Sequence, residues 1–276
     1  MNDTVNDRMT SGQDGTLKGR DGWRFTDIHC HCLPALDDGP STMAEAITLC
    51  RKLAEEGIVT VVATPHQLGR YEDQTEAASV RQAVHELGES LSAEGIELHI
   101  VAGGEVRVDE RICQLLEADR ILTLADGGKY ILLELPHEIF INIESLLVEL
   151  ASIGIVAVIS HAEMIAPSVM HKQILSTWLD RGAHLQLTAS SLVGTFGPDL
   201  KKSAWSLLCD GLASLVATDA HDLSLRKPRM KDAFMQISSE LGEKLARVVC
   251  IENPLRILSG QDLLAVPLCK RQEVDR

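Results

Sequence analysis

One unit recurs through most of the 276-residue chain: an amphipathic stretch, a glycine, a short β-rich run and then a polar residue. Two examples are TMAEAITLCRKLAEEG followed by IVTVVATPH, and IESLLVELASIG followed by IVAVISHAE. In the first example Thr42 and Glu45 predict a capping box, and Gly57 predicts the end of the helix. The runs are mostly apolar, which is typical of parallel strands covered on both faces. Strands and helices should therefore alternate.

The same unit recurs in QILSTWLDRG followed by AHLQLTASS and in SAWSLLCDG followed by LASLVATDAH. WRFTDIHCH, IELHIVAGGEV and KYILLELPH bring the number of β-runs to about seven. Seven strands with intervening helices in roughly 250 residues favour an α/β fold of the distorted, TIM-like barrel type over an open doubly wound sheet. The loops GxGxxG, GxxxxGKS and GxxxxGKT are absent from the sequence, which weakens a dinucleotide or P-loop function. We expect residues 1–22 to form a disordered tail and residues 23–276 to form a single domain.

Composition limits the classes of partner. The formal net charge is −14, from 40 acidic and 26 basic residues, and the basic residues form no cluster. Nucleic-acid binding needs a positive surface, so we expect no such partner. The polar N-terminus and the lack of a long apolar run predict a cytoplasmic protein without membrane insertion, and leave homo-oligomerisation open. Seven cysteines without a CxxC pair indicate reduced thiols.

Nearly every β-run ends in a side chain that can bind a metal ion. Barrel enzymes build their sites from the C-terminal ends of strands, so these side chains should converge on one face. A single such residue is usually an ordinary loop residue, but six of the seven runs share the property, and only AHLQLTASS ends in hydroxyls. The residues are His29, His31, His66, Glu105, Glu134, His161, Asp219 and His221.

The first and last runs each carry two of these residues at a spacing of two. Side chains at i and i+2 of a strand point to the same side, so His29 and His31 can bind one ion together. Cys30 and Cys32 would then face the other way and act as small apolar packing groups. The DAH of TDAH repeats this geometry where the last strand of a barrel would meet the first.

A series of motifs from about residue 24 to residue 260 is weak individually and specific in combination. The motifs are DIHCHCLPALDDGPST, VATPHQLGRYED, GGEV, YILLELP, VISHAE, SSLVGTFG, VATDAHDLSLRKPRM and ENPLRIL. In this order they resemble the PHP (polymerase and histidinol phosphatase) superfamily. Within it they resemble the manganese-dependent protein-tyrosine phosphatases of capsule and exopolysaccharide operons, the CpsB/CapC type.

The resemblance implies a distorted (β/α)7 barrel that holds up to three divalent ions. Manganese is the implied metal, with iron or zinc as alternatives, since His and carboxylate sets accept all three. Glu105 matches a carboxylate that bridges two ions in similar proteins. With three ions, this set leaves a site charge of about +2 by formal count. The implied ligands are His29, His31, Asp38, His66, Glu105, Glu134, His161, Asp219 and His221.

The resemblance also implies hydrolysis of phosphotyrosine in a partner protein such as a polysaccharide-biosynthesis tyrosine kinase, by attack of a metal-bridging hydroxide. Glu105 and Arg226 are the implied catalytic residues, and Arg226 would bind the phosphate through its bidentate guanidinium. We expect Arg70, Ser190 and Ser191 to contact the substrate as well. A phenolate leaving group, with a pKa of about 10, places modest demands on a general acid.

One position departs from the family. Similar sequences commonly continue VISHAE with an arginine that reaches the substrate, whereas this chain has Met164, which cannot pair with phosphate. Either Arg226 or a loop residue such as Arg70 compensates, or the substrate differs. One alternative is therefore a small-molecule phosphomonoesterase of the same superfamily, such as a histidinol-phosphatase. A second is a non-catalytic metal-binding or nucleic-acid-associated PHP domain, against which the ligand set and the charge of −14 argue.

The segment CIENPLR, Cys250 to Arg256, has the C-x5-R spacing of the cysteine-dependent tyrosine phosphatases. That mechanism needs a cradle of backbone N–H donors around the phosphate. Glu252 would place a carboxylate in the cradle, and Pro254 would remove a donor. We interpret the segment as the end of one helix and the proline-started beginning of the next.

Overall fold

Strands and helices alternate along the chain. The computed structural model describes residues 18–19, 22–136, 140–165 and 169–267, without the side chains of residues 18–19 and 169–172. The strands are β1 (Lys18–Gly19), β2 (Gly22–Trp23), β3 (Phe25–Cys30), β4 (Ile58–Ala63), β5 (His66–Gln67), β6 (His99–Ala102), β7 (Glu105–Arg107), β8 (Tyr130–Glu134), β9 (Val156–Ile159), β10 (His184–Thr188) and β11 (Ala213–Ala217). 

The helices lie between these strands and after the last of them. They are α1 (Met43–Glu55), α2 (Ala77–Ala93), α3 (Ile112–Glu117), α4 (Glu144–Ser152), α5 (Ala162–Ile165), α6 (Val169–Asp180), α7 (Ala189–Val193), α8 (Pro198–Cys209), α9 (Met230–Leu241), α10 (Glu243–Arg247) and α11 (Asn253–Leu258). Short 3₁₀ turns occupy Gly69–Tyr71 and Leu124–Asp126, and a π-helical turn occupies Val248–Glu252. In the parts that the structure describes, no helix is long and apolar enough to cross a membrane.

The strands that hold the predicted β-runs pair in two parallel sheets. One has the order β11-β10-β9-β8-β7-β5, and the other has the order β3-β4-β6. The second and third β-runs are each divided between the sheets, because β5 follows β4 and β7 follows β6 closely along the chain. Cys30 bridges to Ala220, so the first and last runs also lie side by side. The predicted α/β class with parallel strands is confirmed.

Both faces of the central strands are largely buried. In β8 the side chains of Tyr130 and Leu132 belong to one hydrophobic cluster, whereas those of Ile131 and Leu133 belong to a second, larger cluster. The larger cluster also contains residues of the surrounding helices. Burial on both faces explains why the β-runs read as continuous apolar sequence.

Helix α1 begins and ends at the predicted signals. The Thr42 hydroxyl accepts a hydrogen bond from the Glu45 N–H at 3.3 Å, and the Glu45 carboxylate accepts one from the Ser41 N–H at 2.8 Å. After the helix, Gly57 has a φ of +89°, and a Cβ at this position would lie 2.7 Å from the Trp23 carbonyl oxygen. Glycine is therefore required where the chain turns from α1 into β4.

The first β-run contains a register shift between Asp27 and Cys30, against β4. An extra residue of this kind re-aims side chains and is common beside active sites. Cys30 and Cys32 are fully buried in the larger hydrophobic cluster, as predicted for packing groups. Asp27 is buried and accepts hydrogen bonds from the Thr218 N–H and hydroxyl, which joins the first run to the last.

The C-x5-R segment has the predicted helical structure. Cys250 lies in the π-helical turn, and α11 follows with Pro254 in its first turn. The thiol is buried, and burial raises its pKa well above the usual range. Of the predicted tail, residues 1–17 and 20–21 lie outside the described residues, and β1 pairs antiparallel with β2. Cys30, Cys32, Cys50 and Cys250 are buried as free thiols.

Candidate metal centre

The C-terminal ends of the strands bring the predicted ligands together. Among the described residues, three groups of side chains have donor atoms within 4.8 Å of one another and could each hold a metal ion. The groups are His31, Asp38, His66 and His221; His29, His31 and Asp219; and His66, Glu105 and Glu134. The Nε2 atom of His161 lies 3.0 Å from Glu105 Oε1, at the edge of these groups. We refer to these nine side chains together as the cage.

The Glu105 carboxylate lies at the centre of the cage. Its Oε2 is 3.4 Å from the Nε2 atoms of both His29 and His31, and 3.1 Å from His66 Nδ1. Burial alone would raise the pKa of Glu105, but the charge of His29 and its other imidazole neighbours lower it well below the usual range. Among the described residues, neither carboxylate oxygen has a well-aligned hydrogen-bond partner. A buried carboxylate of this kind is costly unless a cation accompanies it.

Several imidazoles are turned so that Nε2 faces the cage. In each of them Nδ1 contacts an oxygen that does not belong to a carboxylate of the cage. This contact fixes the tautomer and leaves the Nε2 lone pair for a metal ion. The contacts are His29 Nδ1 to Gln186 Oε1 at 3.0 Å, His31 Nδ1 to Asp37 Oδ2 at 2.6 Å, and His221 Nδ1 to the Asp219 carbonyl oxygen at 3.0 Å.

Gln186 and Asp37 are site residues that the sequence analysis missed. Gln186 is fully buried in β10, and its Oε1 also accepts a hydrogen bond from the His161 N–H at 3.1 Å. The available signals were a lone glutamine within the apolar run HLQLT and the first aspartate of LDDG. Both residues contact proposed ligands from the side away from the cage, which is how supporting residues act in metal sites.

The predicted catalytic arginine lies at the rim of the cage. Arg226 Nη2 is 2.9 Å from Asp219 Oδ1 and 3.0 Å from Oδ2, while Nη1 is 3.4 Å from Asp38 Oδ2. Asp38 in turn contacts the Nε2 atoms of His221 at 3.3 Å and His66 at 3.4 Å. Burial would raise the pKa of Asp219, but His29 and Arg226 lower it below the usual range.

The other predicted substrate contacts have different positions. Arg70 is exposed at the rim, with Nη2 3.8 Å from Asp38 Oδ2. Ser190 and Ser191 are buried on α7, and the Ser190 hydroxyl donates to the Lys227 carbonyl oxygen at 3.4 Å. Neither serine lines a cavity beside the cage in the described residues. Contact of these three residues with a substrate stays a prediction.

Comparison with known sequences identifies the family. The sequence profile described as "Capsular polysaccharide synthesis, CpsB/CapC" matches residues 25–259. The tyrosine-protein phosphatase YwqE of Bacillus subtilis is 35% identical over 243 residues, which cover 87% of this chain and 94% of that protein. The tyrosine-protein phosphatase CpsB of Streptococcus pneumoniae is 29% identical over 247 residues, which cover 85% and 98%.

Solved structures agree. A crystal structure from a study of YwqE of Bacillus subtilis and CpsB of Streptococcus pneumoniae, described there as unique metal-dependent tyrosine phosphatases, matches with a TM-score of 0.82 and 34% identity over 90% of this chain and 100% of that chain. The phosphotriesterase homology protein of Escherichia coli shares the fold alone, with a TM-score of 0.53 and 14% identity over 84% of this chain and 96% of that chain. The resemblance predicted from the motifs is therefore confirmed, and the chain belongs to the CpsB/CapC family of capsular polysaccharide synthesis proteins.

Proposed function

We propose that this protein is a metal-dependent phosphatase that hydrolyses phosphotyrosine in other proteins. The observation that carries the proposal is the buried Glu105 carboxylate, which is surrounded by imidazoles from separate strands and, in the described part of the chain, has no hydrogen-bond partner of its own. The relatives named as tyrosine-protein phosphatases support the substrate class.

The residues of the cage fit divalent cations. Imidazole and carboxylate donors suit manganese, iron and zinc alike, and manganese is our first choice because of the family resemblance. Because the groups share His31 and His66, up to three neighbouring ions would compete for these two rings. Such ions would supply Lewis acidity, which lowers the pKa of water and neutralises phosphate oxygens.

The side chains of this protein would position the substrate around that chemistry. Arg226 contacts two carboxylates of the cage, so its planar fork of donors lies within reach of a phosphate bound at the rim. Glu105, the second proposed catalytic residue, would help to hold the ions through its buried carboxylate, whose oxygens lie 3.0–3.4 Å from four imidazoles. In the hydrolysis the bond from phosphorus to the phenolic oxygen breaks, and the oxygen of water becomes part of the released phosphate. Phenolate, with a pKa of about 10, leaves with little help from an acid.

We propose a tyrosine kinase of polysaccharide biosynthesis as the partner protein, and the family description, capsular polysaccharide synthesis, supports the biosynthetic setting. We also propose a cytoplasmic location, and the charge of −14 argues against nucleic acid as a ligand. Homo-oligomerisation stays open. We retain residues 1–22 as a tail and residues 23–276 as one domain.

We further infer that the two parallel sheets form one distorted (β/α)7 barrel of the PHP type. The Cys30–Ala220 bridge and the hydrogen bonds between Asp27 and Thr218 support this arrangement, because they join the first β-run to the last. The cage would then lie at the C-terminal end of the barrel, where such enzymes place their sites.

Kinetics with defined metal content test the function. Protein stripped of metal and reloaded with Mn²⁺ should hydrolyse a phosphotyrosine peptide faster than a phosphoserine peptide or histidinol phosphate. His29→Ala and Asp219→Ala should lose bound metal and turnover together, whereas Arg226→Ala should retain metal and lose kcat or gain KM. A preference for histidinol phosphate would favour the small-molecule phosphomonoesterase. Full metal loading without turnover of any of these substrates would leave only a metal-binding domain.

A further inference from the structure

Two of the cavities formed by the described residues border the cage. One, of about 510 Å³, lies beside Asp38 and His221. The other, of about 310 Å³, lies beside His66 and Glu134. Both open onto proposed metal ligands, so the charge of the remaining wall decides which cavity can receive a phosphate monoester.

The larger cavity has an acidic wall. Beyond the two cage residues, Glu45 and Asp222 line it, and the described residues of its wall include no lysine or arginine. A doubly charged phosphate there would lie close to two carboxylates without a fixed cation on the wall. Like-charge contacts of this kind disfavour binding.

The smaller cavity combines cations with an apolar wall. Arg70 and Arg107 supply two guanidinium groups, and Leu68 and Tyr71 supply the apolar part. The Tyr71 ring lies parallel to the His66 imidazole, with ring centres 5.6 Å apart and an interplanar angle of 2°. The volume of this cavity is at the lower end of the range for small-molecule sites, and the lining suits an aromatic group that carries an anion.

The strand that carries Glu105 also places Arg107. The two residues are i and i+2 on β7, so their side chains point to the same side. Arg107 is 44% exposed, and its Nη1 lies 3.5 Å from Glu134 Oε2, a contact longer than a good hydrogen bond. Gly69 faces it, and a Cβ there would lie 3.1 Å from Arg107 Cδ. The glycine therefore leaves room for the arginine at the rim of the cavity.

The nearby Arg111 differs from Arg107 in its hydrogen bonds. Arg111 donates hydrogen bonds of 2.8–3.1 Å to both Asp109 and Glu72, which engage the whole guanidinium. Arg107, in contrast, makes no side-chain hydrogen bond with the residues that the structure describes. Its donors are therefore available to a ligand in the cavity.

We propose that the 310 Å³ cavity is the phosphotyrosine subsite, in which Arg107 binds the phosphate and Leu68 and Tyr71 hold the aromatic ring. This inference rests on the proposed function and deepens it. It also accounts for Met164, on α5, because the guanidinium missing from the VISHAE motif is supplied from β7 instead. Arg107 and Arg226 then approach the phosphate from the Glu134 side and the Asp219 side of the cage.

Two probes separate the phosphate contact from the ring contact: inorganic phosphate, as a competitive inhibitor, and phenyl phosphate, as a substrate. Arg107→Met should raise both the phosphate Ki and the phenyl phosphate KM by about 10- to 100-fold, as expected for the loss of a charge-assisted hydrogen bond. Arg107→Lys should recover part of this loss. Tyr71→Ala should raise the KM for phenyl phosphate and leave the Ki of phosphate unchanged.

Metal content measured on each variant shows that the cage is intact. Arg51→Met is the matched control, because Arg51, on α1, loses the same charge from an exposed pair with Glu94, which follows α2. An unchanged phosphate Ki in metal-loaded Arg107→Met would overturn the phosphate contact, and an unchanged phenyl phosphate KM in Tyr71→Ala would overturn the ring contact. If the wild type hydrolysed no phosphotyrosine, the proposed function would fail, but calorimetric binding of inorganic phosphate would still test Arg107 independently.

Discussion

Replacement of Asp37 by Asn should weaken metal binding although Asp37 is outside the predicted ligand set. Its Oδ2 accepts hydrogen bonds from His31 Nδ1 at 2.6 Å and from the His66 N–H at 3.0 Å, and its Oδ1 accepts one from the Gly39 N–H at 3.0 Å. Burial would raise the pKa of Asp37, but the charge of His31 and these hydrogen bonds lower it, so the carboxylate is ionised at neutral pH. One anionic group thus orients two histidines of the cage.

The magnitude follows from this role. Asn preserves the shape of the side chain but removes the charge that favours an Nδ1–H tautomer of His31. Loss of such supporting groups typically lowers metal affinity about 10- to 100-fold, which is about 1.4–2.7 kcal/mol. Asp37→Ala should also lower the free energy of unfolding by about 1–3 kcal/mol, because it leaves buried donors without an acceptor.

Calorimetric titration of Mn²⁺ into metal-free protein measures the effect, and thermal unfolding reports the fold. Asp109→Asn is the control, since it removes a carboxylate that pairs with Arg111 at the surface. The reasoning would be refuted by wild-type Mn²⁺ affinity in folded Asp37→Asn protein, because the orientation of His31 would then contribute nothing.

Three further predictions concern the supporting structure. Gln186→Leu removes the acceptor 3.0 Å from His29 Nδ1 and should lower Mn²⁺ affinity about tenfold in the same titration. Burial lowers the pKa of His29, but Glu105 and Asp219 outweigh it and raise the pKa from 6.5 to about 9. The metal-free protein should therefore lose stability as pH rises from about 6.5 through about 9. Mn²⁺ displaces the proton of His29 and should bind more tightly over the same pH range. Thermal unfolding with and without Mn²⁺ measures both effects. Leu132→Ala should lower the free energy of unfolding, measured with urea, by about 2–5 kcal/mol, because Leu132 is fully buried between strands.

The convergence of the cage residues could be predicted from sequence because strand ends are a local signal. Apolar runs locate the strands, and parallel pairing brings their C-terminal ends to one edge. The separation of His29 and His31 from Cys30 and Cys32 also follows from the period of two. The register shift of β3 against β4 falls between Asp27 and Cys30 and therefore overlaps the start of this alternation, yet Cys30 and Cys32 are both buried in the hydrophobic cluster.

The supporting residues could not be predicted, because they depend on contacts distant in sequence. Gln186 and His29 are 157 residues apart, and no periodicity reports their contact. Asp37 and Asp38 are neighbours with different roles, and the path of the loop decides between them. Gly39 sets that path, since a Cβ there would lie 2.4 Å from the His31 carbonyl oxygen.

The backbone of His161 and Asp219 also has no sequence signal. Their φ angles are +33° and +51°, in the region that favours glycine, and a non-glycine residue there costs about 1–3 kcal/mol. Each residue follows within two positions of a strand end, so the unusual turn aims its side chain at the cage. Contacts hold the strained conformation of Asp219, whose N–H donates to the His29 carbonyl oxygen at 2.8 Å and whose carboxylate pairs with Arg226. Glycine would relieve the strain and remove the proposed ligand, so we attribute histidine and aspartate at these positions to the chemistry of the site and not to local stability.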